Sequence, residues 1–364
     1  MRTEDAVIYL CTCSINGIVP EKGKIEEMNL EGVYQFASFH MLSAMVAMAL
    51  ESAGFKDRNS IAALTNSLKN NSLFDLNRKA IFDRLEQKGI WYMPLKGAVL
   101  KDFYPKYGMR EMSDNDILID PDRSSEVKCV MEELGFEALS FGIGNHDVYY
   151  KEPSLGFEMH KELFEGLFFD RFSSYYQNVK ERLVKDEGNR FGYHFSPEDL
   201  YVYLIAHEYK HYSGGGTGLR SLLDTYVCLT ALSLDTAYIG QEAEKLGIRD
   251  FEERNRLLAL HVFGENGPSA EEQKLLEEIC SSGAHGTVAH RVEKQIKEKG
   301  RWRYFLSRLT LPREEMRRHY PILKKAPVLY PVFWGYRLIH GFFYKHDRFL
   351  YQLKTVLKKD HKSQ

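Results

Sequence analysis

The hydrophobic residues of the first ninety positions follow the spacing of helices. Between residues 34 and 53, apolar side chains recur at intervals of three and four, and Gly54 stands where such a helix would end. The same pattern returns from residue 71 to residue 88, and Gly89 supplies its C-terminal stop. The sequence therefore predicts two buried or half-buried helices ahead of the segment that carries the candidate chemistry.

Short β-prone runs replace the helical pattern between residues 90 and 160. Such runs predict strands at residues 90–93, 117–119, 147–151 and 155–160. Helices are predicted at residues 99–104 and 127–134, and Gly135 ends the second of them. This order predicts a mixed sheet with flanking helices, which is an α+β fold class with a mixed α/β core.

The chain beyond residue 196 is mainly helical in pattern. Helices are predicted at residues 197–212, 219–232, 237–245 and 271–281. Residues 213–218, Ser-Gly-Gly-Gly-Thr-Gly, are predicted to form a flexible loop, and they lack the Lys-Ser or Lys-Thr pair of a P-loop. We therefore predict an N-terminal helical part (1–70), a core (71–185) and a larger C-terminal helical part (186–364) with a basic, aromatic-rich end.

Composition and charge narrow the class of protein. The chain has 364 residues, of which 44% are hydrophobic and 27% charged, so it can bury a substantial core. Its net charge of -2 gives no overall electrostatic reason to bind nucleic acid. Five scattered cysteines do not complete a zinc site, and neither a signal peptide nor a membrane-spanning run is apparent. We expect a soluble, cytoplasmic protein.

Three acidic residues form the main candidate site. Asp114 and Asp116 lead into the predicted strand at 117–119, and the period of two directs both carboxylates to the same side. Glu158 lies between apolar neighbours in the strand at 155–160 and is expected to be the third acid. Carboxylates combined with substrate phosphates suit Mg²⁺, with Mn²⁺ as a substitute. The sequence thus predicts a metal site for phosphoryl-group chemistry.

A glycine turn precedes these acids. Lys96, Gly97 and Ala98 stand where a predicted strand passes into a helix, a place where backbone amides can receive an anion. Lys96 and Arg110 are candidates to supply positive charge to a triphosphate, although each could also be a surface or structural cation. These four residues are the predicted nucleotide-binding set.

Several short motifs stand in a definite order along the chain. They are LKGAVL at residues 95–100, YP at 104–105, Arg110, SDNDILI at 113–119 and FEMH at 157–160, followed by His207, KH at 210–211 and LRSLLD at 219–224. In this order they resemble a group of bacterial proteins called uncharacterised nucleotidyltransferases, which are similar to the superfamily that includes DNA polymerase beta. The resemblance extends from about residue 36 to residue 232.

The resemblance implies a small nucleotidyltransferase sheet and a reaction. A nucleoside monophosphate would pass from an NTP to an acceptor with release of pyrophosphate. The glycine turn would hold the triphosphate, Asp114 and Asp116 would bind metal ions, and Glu158 would help to position metal and activate the acceptor. Ala98 stands where the superfamily usually has Gly or Ser, and Asn115 where an apolar residue is commoner. Neither departure removes a metal ligand.

A second motif suggests other chemistry. His207, Glu208 and His211 fit the H-E-x-x-H pattern, in which two histidines bind zinc and the glutamate acts as a base. A zinc peptidase would need a third ligand, for which the distant acids Glu242 and Glu244 are the candidates. The family resemblance instead places the two histidines on a helix that faces the nucleotidyltransferase site.

Four further residues are candidates for substrate contact. They are His160, His211, Arg220 and Asp224, and for the last three the pinning of helices together is the favoured alternative. The acceptor itself is not specified by the sequence, so a small molecule, a glycan and a protein all remain open. A catalytically silent protein that binds a nucleotide or a partner is the main alternative.

The C-terminal end is basic and rich in aromatic residues. Residues 301–364 contain fifteen Lys or Arg against four Asp or Glu. Amphipathic helices with a solvated basic face account for this composition. A peripheral membrane contact and RNA binding by stacking are the two alternatives, and nucleic acid is the less favoured partner.

Overall fold

The computed structural model describes residues 1–165, 170–264 and 267–284, and beyond these residues 300, 303, 311, 313, 316–317, 320 and 322–344. The chain divides into two compact units. The first comprises residues 1–213 and 217–285, and the second comprises residues 214–216 and 286–364. The division into parts at residues 70 and 185 stays a prediction.

Five helices form the N-terminal part of the first unit. They are α1 (Thr3–Ile15), α2 (Lys22–Glu26), α3 (Leu30–Phe39), α4 (Ser43–Ser52) and α5 (Arg58–Lys88). Helix α5 is longer than predicted because Asp57 caps it: the Asp57 carboxylate accepts a hydrogen bond from the Ser60 amide at 2.7 Å. Gly89, in the left-handed region with φ 69°, ends the helix as predicted.

The predicted continuous helix at 34–53 is wrong. Helices α3 and α4 are separated at Met41, whose φ is 56°. The break places the His40 ring in the core, where Nε2 lies 3.0 Å from the Cys280 carbonyl oxygen and Nδ1 accepts a hydrogen bond from the Leu219 amide. The satisfaction of a buried imidazole by distant residues therefore overrides the local helical pattern.

A five-stranded mixed sheet lies at the centre of the first unit. Its strands are β1 (Tyr92–Pro94), β2 (Asn115–Ile119), β3 (Glu137–Ser140), β4 (His146–Lys151) and β5 (Leu155–His160). The spatial order is β1-β2-β5-β4-β3, with β2 and β5 parallel and every other neighbouring pair antiparallel. Two short helices, α6 (Gly97–Leu100) and α7 (Ser124–Glu133), and 3₁₀ turns at Lys101–Phe103 and Pro121–Arg123 complete this region.

Alternation along β2 assigns its residues to two cores. Ile117 and Ile119 pack with residues of α5 and α7, whereas Leu118 packs with residues of the later helices. All five residues of β2 are buried, as expected for a strand that is covered on both faces. Asp116 shares the parity of Leu118, and so the fold directs its carboxylate toward the later helices.

The remaining part of the first unit is mainly helical, as predicted. Its elements are α8 (Asp170–Tyr175), a 3₁₀ turn (Val179–Arg182), the hairpin β6 (Val184–Lys185) and β7 (Tyr193–His194), α9 (Pro197–Gly215), α10 (Leu219–Ala231), α11 (Thr236–Leu246), α12 (Arg249–Phe263) and α13 (Ala270–Ser282). Helix α9 continues into the glycine run, so the predicted loop at 213–218 is shorter than expected. The α+β class with a small mixed sheet and flanking helices is confirmed.

The second unit contains two described helices. These are α14 (Ile322–Lys325) and α15 (Tyr330–Tyr344), joined by a 3₁₀ turn at Pro327–Leu329. The rings of Tyr320 and Phe333 pack with centroids 4.8 Å apart. Much of the predicted basic, aromatic end lies outside the described residues. Within the described parts of both units, every helix is too short or too polar to cross a bilayer.

Candidate active site

Two of the predicted acids lie side by side on the sheet. Strands β2 and β5 run parallel, and their register places Asp116 opposite Glu158. Asp114 lies just before β2, is exposed, and accepts a hydrogen bond from the Ser113 hydroxyl at 2.9 Å. Asn115 points to the other face, where its side-chain oxygen accepts a hydrogen bond from Arg78 at 2.6 Å. The polar residue between the acids is therefore held on the α5 side of the sheet.

Lys96 of the glycine turn contacts one of these acids, Asp116. The Lys96 ammonium group lies 2.7 Å from Oδ1 of Asp116. Its backbone has φ 47° and ψ −123°, and the Ala98 amide donates to the Leu95 carbonyl oxygen at 3.2 Å, which closes a tight turn. A residue other than glycine with positive φ carries a strain of about 1–3 kcal/mol. Lys96 therefore adopts a strained backbone conformation in the turn from which its side chain contacts Asp116.

Arg110 packs closely against Gly97 in this turn. A Cβ atom added at Gly97 would collide with Nη1 of Arg110 and come within 3.1 Å of the Met112 sulfur, so glycine is needed for this close approach. The Arg110 guanidinium donates to both carboxylate oxygens of Asp224, at 2.7 and 2.8 Å. Tyr104 donates to the same carboxylate at 2.7 Å. These contacts engage Arg110 and Asp224 with each other, and contact of either with substrate stays a prediction.

Lys96 and His160 contact Asp116 and stabilise its charge. Nε2 of His160 lies 2.8 Å from the Oδ1 atom that Lys96 also contacts. Burial would raise the pKa of the Asp116 carboxyl, but Lys96 and His160 outweigh burial and hold this pKa well below its usual value. Burial likewise would lower the pKa values of Lys96 and His160, and the contacts with Asp116 raise both instead. The floor of the site is thus a hydrogen-bonded cluster that favours the ionised form of Asp116.

Glu158 forms the more open side of this cluster with two imidazoles. Its Oε2 atom lies 3.4 Å from His160 Nε2 and 3.7 Å from His146 Nε2. A hydrogen bond from His160 lowers the pKa of Glu158 despite burial. Within the described residues, His146, Glu158 and His160 are a set of side chains close enough to share an ion, with ligand atoms within 4.8 Å of one another. This donor set fits a divalent metal ion.

His146 was not foreseen from the sequence, although a signal for it exists. Strands β4 and β5 form a hairpin in which Lys151 pairs with Leu155. Counting outward from that pair places His146 opposite His160. The register of a predicted hairpin could therefore have added His146 to the acids.

One face of helix α9 carries groups that act electrostatically on the cluster. Tyr203, His207 and Lys210 recur at helical spacing. Burial, together with the charge of Lys96, lowers the pKa values of His207 and Lys210. The Tyr203 hydroxyl is buried and has no hydrogen-bond partner among the described residues, and burial raises its pKa. These side chains make α9 the second wall of the site, and the same spacing could have identified Tyr203 and Lys210.

The H-E-x-x-H motif has a different geometry from a zinc peptidase. Nε2 of His211 lies 3.3 Å from Nε2 of His207, so the two rings do meet. Glu208, however, is buried on another side of α9, where it accepts hydrogen bonds from Thr225 and Asn255 at 3.1 and 2.9 Å. Burial raises the pKa of Glu208 to about 7. A carboxylate engaged in the core does not suit a catalytic base beside the histidines.

Among the described residues, neither proposed third zinc ligand joins His207 and His211 in a cluster small enough to share an ion. The Glu242 carboxylate pairs with Arg182 at 2.9 Å and with Lys245 at 2.6 Å. The backbone carbonyl of Glu244 accepts a hydrogen bond from Arg171 at 2.8 Å, which fixes the end of α11 near that arginine. The structure thus gives the peptidase hypothesis no support.

Arg220 is a further cation whose charge interacts with Asp224 and Asp114. Nη1 of Arg220 lies 2.9 Å from the sulfur of Met41, and no carboxylate among the described residues forms an ion pair with it. Burial and the nearby Arg110 charge lower the pKa of Arg220, which Asp224 and Asp114 only partly oppose. A partly buried guanidinium in this state favours an anionic ligand.

Known proteins are similar to this chain in sequence or in structure. Residues 26–264 match the family described as "Uncharacterised nucleotidyltransferase". Among solved structures, the chain is similar to an antigenic nucleotidyltransferase-like protein from Paracoccidioides brasiliensis, with 14% identity and a TM-score of 0.35 over 56% of this chain and 96% of that one. At this TM-score the likeness has no bearing on the site residues. None of the curated proteins matches the sequence.

Proposed function

The chain belongs to the family of uncharacterised nucleotidyltransferases, and from this premise we propose that it transfers a nucleoside monophosphate from an NTP to an acceptor hydroxyl. The acceptor oxygen forms a bond to the α-phosphorus, the bond from that phosphorus to the β-phosphate oxygen breaks, and pyrophosphate leaves. The hydroxyl proton passes to a base at the site, for which Glu158 is the candidate. As part of the proposal we assign the chain to the DNA polymerase beta superfamily, with Asp114, Asp116 and Glu158 as its metal-binding acids.

The observation that carries the proposal is the register of β2 and β5. It sets Asp116 beside Glu158 within the part of the chain that matches the family. Asp114 precedes the same strand by one residue, so a third carboxylate is available at the edge of the cluster. Ionised acids held together in this way repel each other unless cations join them. Such a cluster suits the binding of a divalent ion with an NTP.

The residues around the acids would bind the triphosphate and border the acceptor. Lys96 supplies positive charge at the strand-to-helix turn, and Gly97 allows that turn to pack against Arg110. Arg220 would contact the triphosphate, since it lacks a carboxylate partner among the described residues. The α9 face with Tyr203 and Lys210 would exclude water and border the acceptor. The bound divalent ion, Mg²⁺ or Mn²⁺, would neutralise charge on the phosphates.

Labelled nucleotides test the proposed transfer. The protein is incubated with an extract of small molecules, glycans and proteins and with each NTP labelled at the α- or the γ-phosphate. We expect label in a product from the α-labelled NTP alone, with equimolar pyrophosphate. Asp116→Asn should lower the rate at least 100-fold, and the exposed Asp122→Asn is the matched control that should leave it unchanged.

Other outcomes distinguish the alternatives. Transfer of the γ-label would indicate phosphoryl transfer and refute the proposal. Nucleotide binding without release of pyrophosphate, across all four NTPs and all acceptor fractions, would support a catalytically silent binding protein. Equal turnover in the wild type and in Asp116→Asn would show that the chemistry lies elsewhere.

A further inference from the structure

Two imidazole nitrogens converge on one carboxylate oxygen at the open side of the site. His160 Nε2 and His146 Nε2 lie 3.4 and 3.7 Å from Glu158 Oε2. Ligands bound at about 2.1 Å from one metal in tetrahedral geometry are separated by about 3.4 Å. All three ligand atoms lie within 4.8 Å of one another, so side-chain movements would bring them to the separations of a shared ion. Transition-metal ions such as Zn²⁺ are bound by imidazole nitrogen together with carboxylate oxygen at about this distance.

A supporting contact fixes the orientation of His146. Its Nδ1 atom lies 2.9 Å from Oδ1 of Asn145, while the Asn145 amide nitrogen donates to the Glu162 carbonyl oxygen at 3.1 Å. Because Oδ1 can only accept, Nδ1 of the ring carries the proton, and the lone pair of the neutral ring lies on Nε2. A ring held in this tautomer by a buried amide is the arrangement found around histidines that bind metals.

His160 presents the same nitrogen to the site. Its Nε2 atom contacts both Asp116 and Glu158, whereas its buried Nδ1 has no hydrogen-bond partner among the described residues. All polar contacts of this ring within the described chain thus lie on the side of the acids. The two imidazoles stack with centroids 5.0 Å apart, so they approach Glu158 from the same direction.

We propose that His146, Glu158 and His160 bind a divalent transition metal of the Mn²⁺ to Zn²⁺ series in preference to Mg²⁺. Mg²⁺ favours oxygen ligands and gives up its water reluctantly, whereas imidazole nitrogen is a good ligand for transition metals. The inference rests on the proposed function for the role of the ion. The binding itself is measured without nucleotide, so failure of either idea can be recognised separately.

Cobalt is the probe for the experiment, because its visible absorption reports the ligands and geometry of a bound ion. The full-length protein is titrated with Co²⁺, Zn²⁺, Mn²⁺ and Mg²⁺ by calorimetry, and Co²⁺ is also followed by absorption. We expect one site that binds Co²⁺ and Zn²⁺ at least 100-fold more tightly than Mg²⁺. His146→Ala should weaken Co²⁺ binding at least 10-fold and change Mg²⁺ binding less than twofold.

Matched variants separate this site from other metal-binding groups. His194→Ala removes an exposed histidine that pairs with Asp186 and should have no effect. His207→Ala removes the alternative histidine pair on α9 and should also leave Co²⁺ binding unchanged. If His146→Ala unfolds the protein, His146→Gln, which retains a side chain of similar length, gives the measurement. Loss of cobalt binding in His207→Ala but not at His146, or equal affinity for Mg²⁺, would overturn the inference.

Discussion

The bidentate ion pair between Arg110 and Asp224 offers a quantitative test of how the site is supported. The two side chains are 7% and 5% exposed, and their two contacts are 2.7 and 2.8 Å long. In Arg110→Met, Asp224 would keep only the hydrogen bond from Tyr104. Breaking a buried pair in this way costs about 3–5 kcal/mol of unfolding free energy. Tyr104→Phe removes one hydrogen bond to a charged group and should cost about 1.5–3 kcal/mol.

Urea denaturation followed by circular dichroism measures these losses for the transition of the first compact unit. Replacing both partners, as in Arg110→Met with Asp224→Leu, should cost less than Arg110→Met alone because no buried charge is left unpaired. The same Arg110→Met protein should bind NTP more weakly, since the guanidinium packs against Gly97. A loss below 1 kcal/mol for Arg110→Met, or strictly additive losses in the double variant, would refute this reasoning.

Three further predictions concern Gly97, Arg220 and Glu208. Gly97→Ala should raise the Kd for NTP at least 10-fold by calorimetry, because the added methyl group collides with Arg110; an unchanged Kd would contradict the packing. Arg220→Ala should raise the Kd for NTP by a similar factor and leave that for the nucleoside unchanged, whereas equal loss for both would place Arg220 away from the phosphates. Burial raises the pKa of Glu208 to about 7 in the folded protein. Between about pH 5 and 7 the folded protein therefore keeps a proton on Glu208 that the unfolded chain has released. The free energy of unfolding consequently falls as the pH rises through this range. Glu208→Gln should lack this slope and gain up to about 3 kcal/mol over the wild type at pH 8, and parallel stability profiles would contradict the shift.

Local patterns along the sequence accounted for much of the sheet. Alternation predicted strands that carry Asp116 and Glu158, because a period of two is a property of the chain itself. That these strands are neighbours is a long-range feature that the structure adds. The helix that ends at Gly89 was also predicted well, since a glycine stop is a local signal. The sequence did not predict β3, whose alternation is interrupted by a register shift between Ala138 and Ser140. It also did not predict helices α1 and α12, which contact each other from distant parts of the chain.

The site was predicted less completely than the sheet. The pairing of Arg110 with Asp224 joins residues 114 positions apart, and neither has a local signal that would indicate the other. His146 depends on the hairpin register, and Met41 takes a positive φ where the hydrophobic pattern indicates a continuous helix. Long-range contacts of this kind decide which polar groups face the acids, and pattern alone does not contain them.

Isothermal titration with a non-hydrolysable NTP analogue, with and without a divalent ion, tests whether the acids bind a nucleotide through that ion. We expect binding that depends on the ion and that is lost in the Asp114→Asn/Asp116→Asn variant, while the control Asp122→Asn binds as the wild type does. Ion-independent binding that is equally strong in the double variant, or no binding of any NTP by the folded protein, would contradict it.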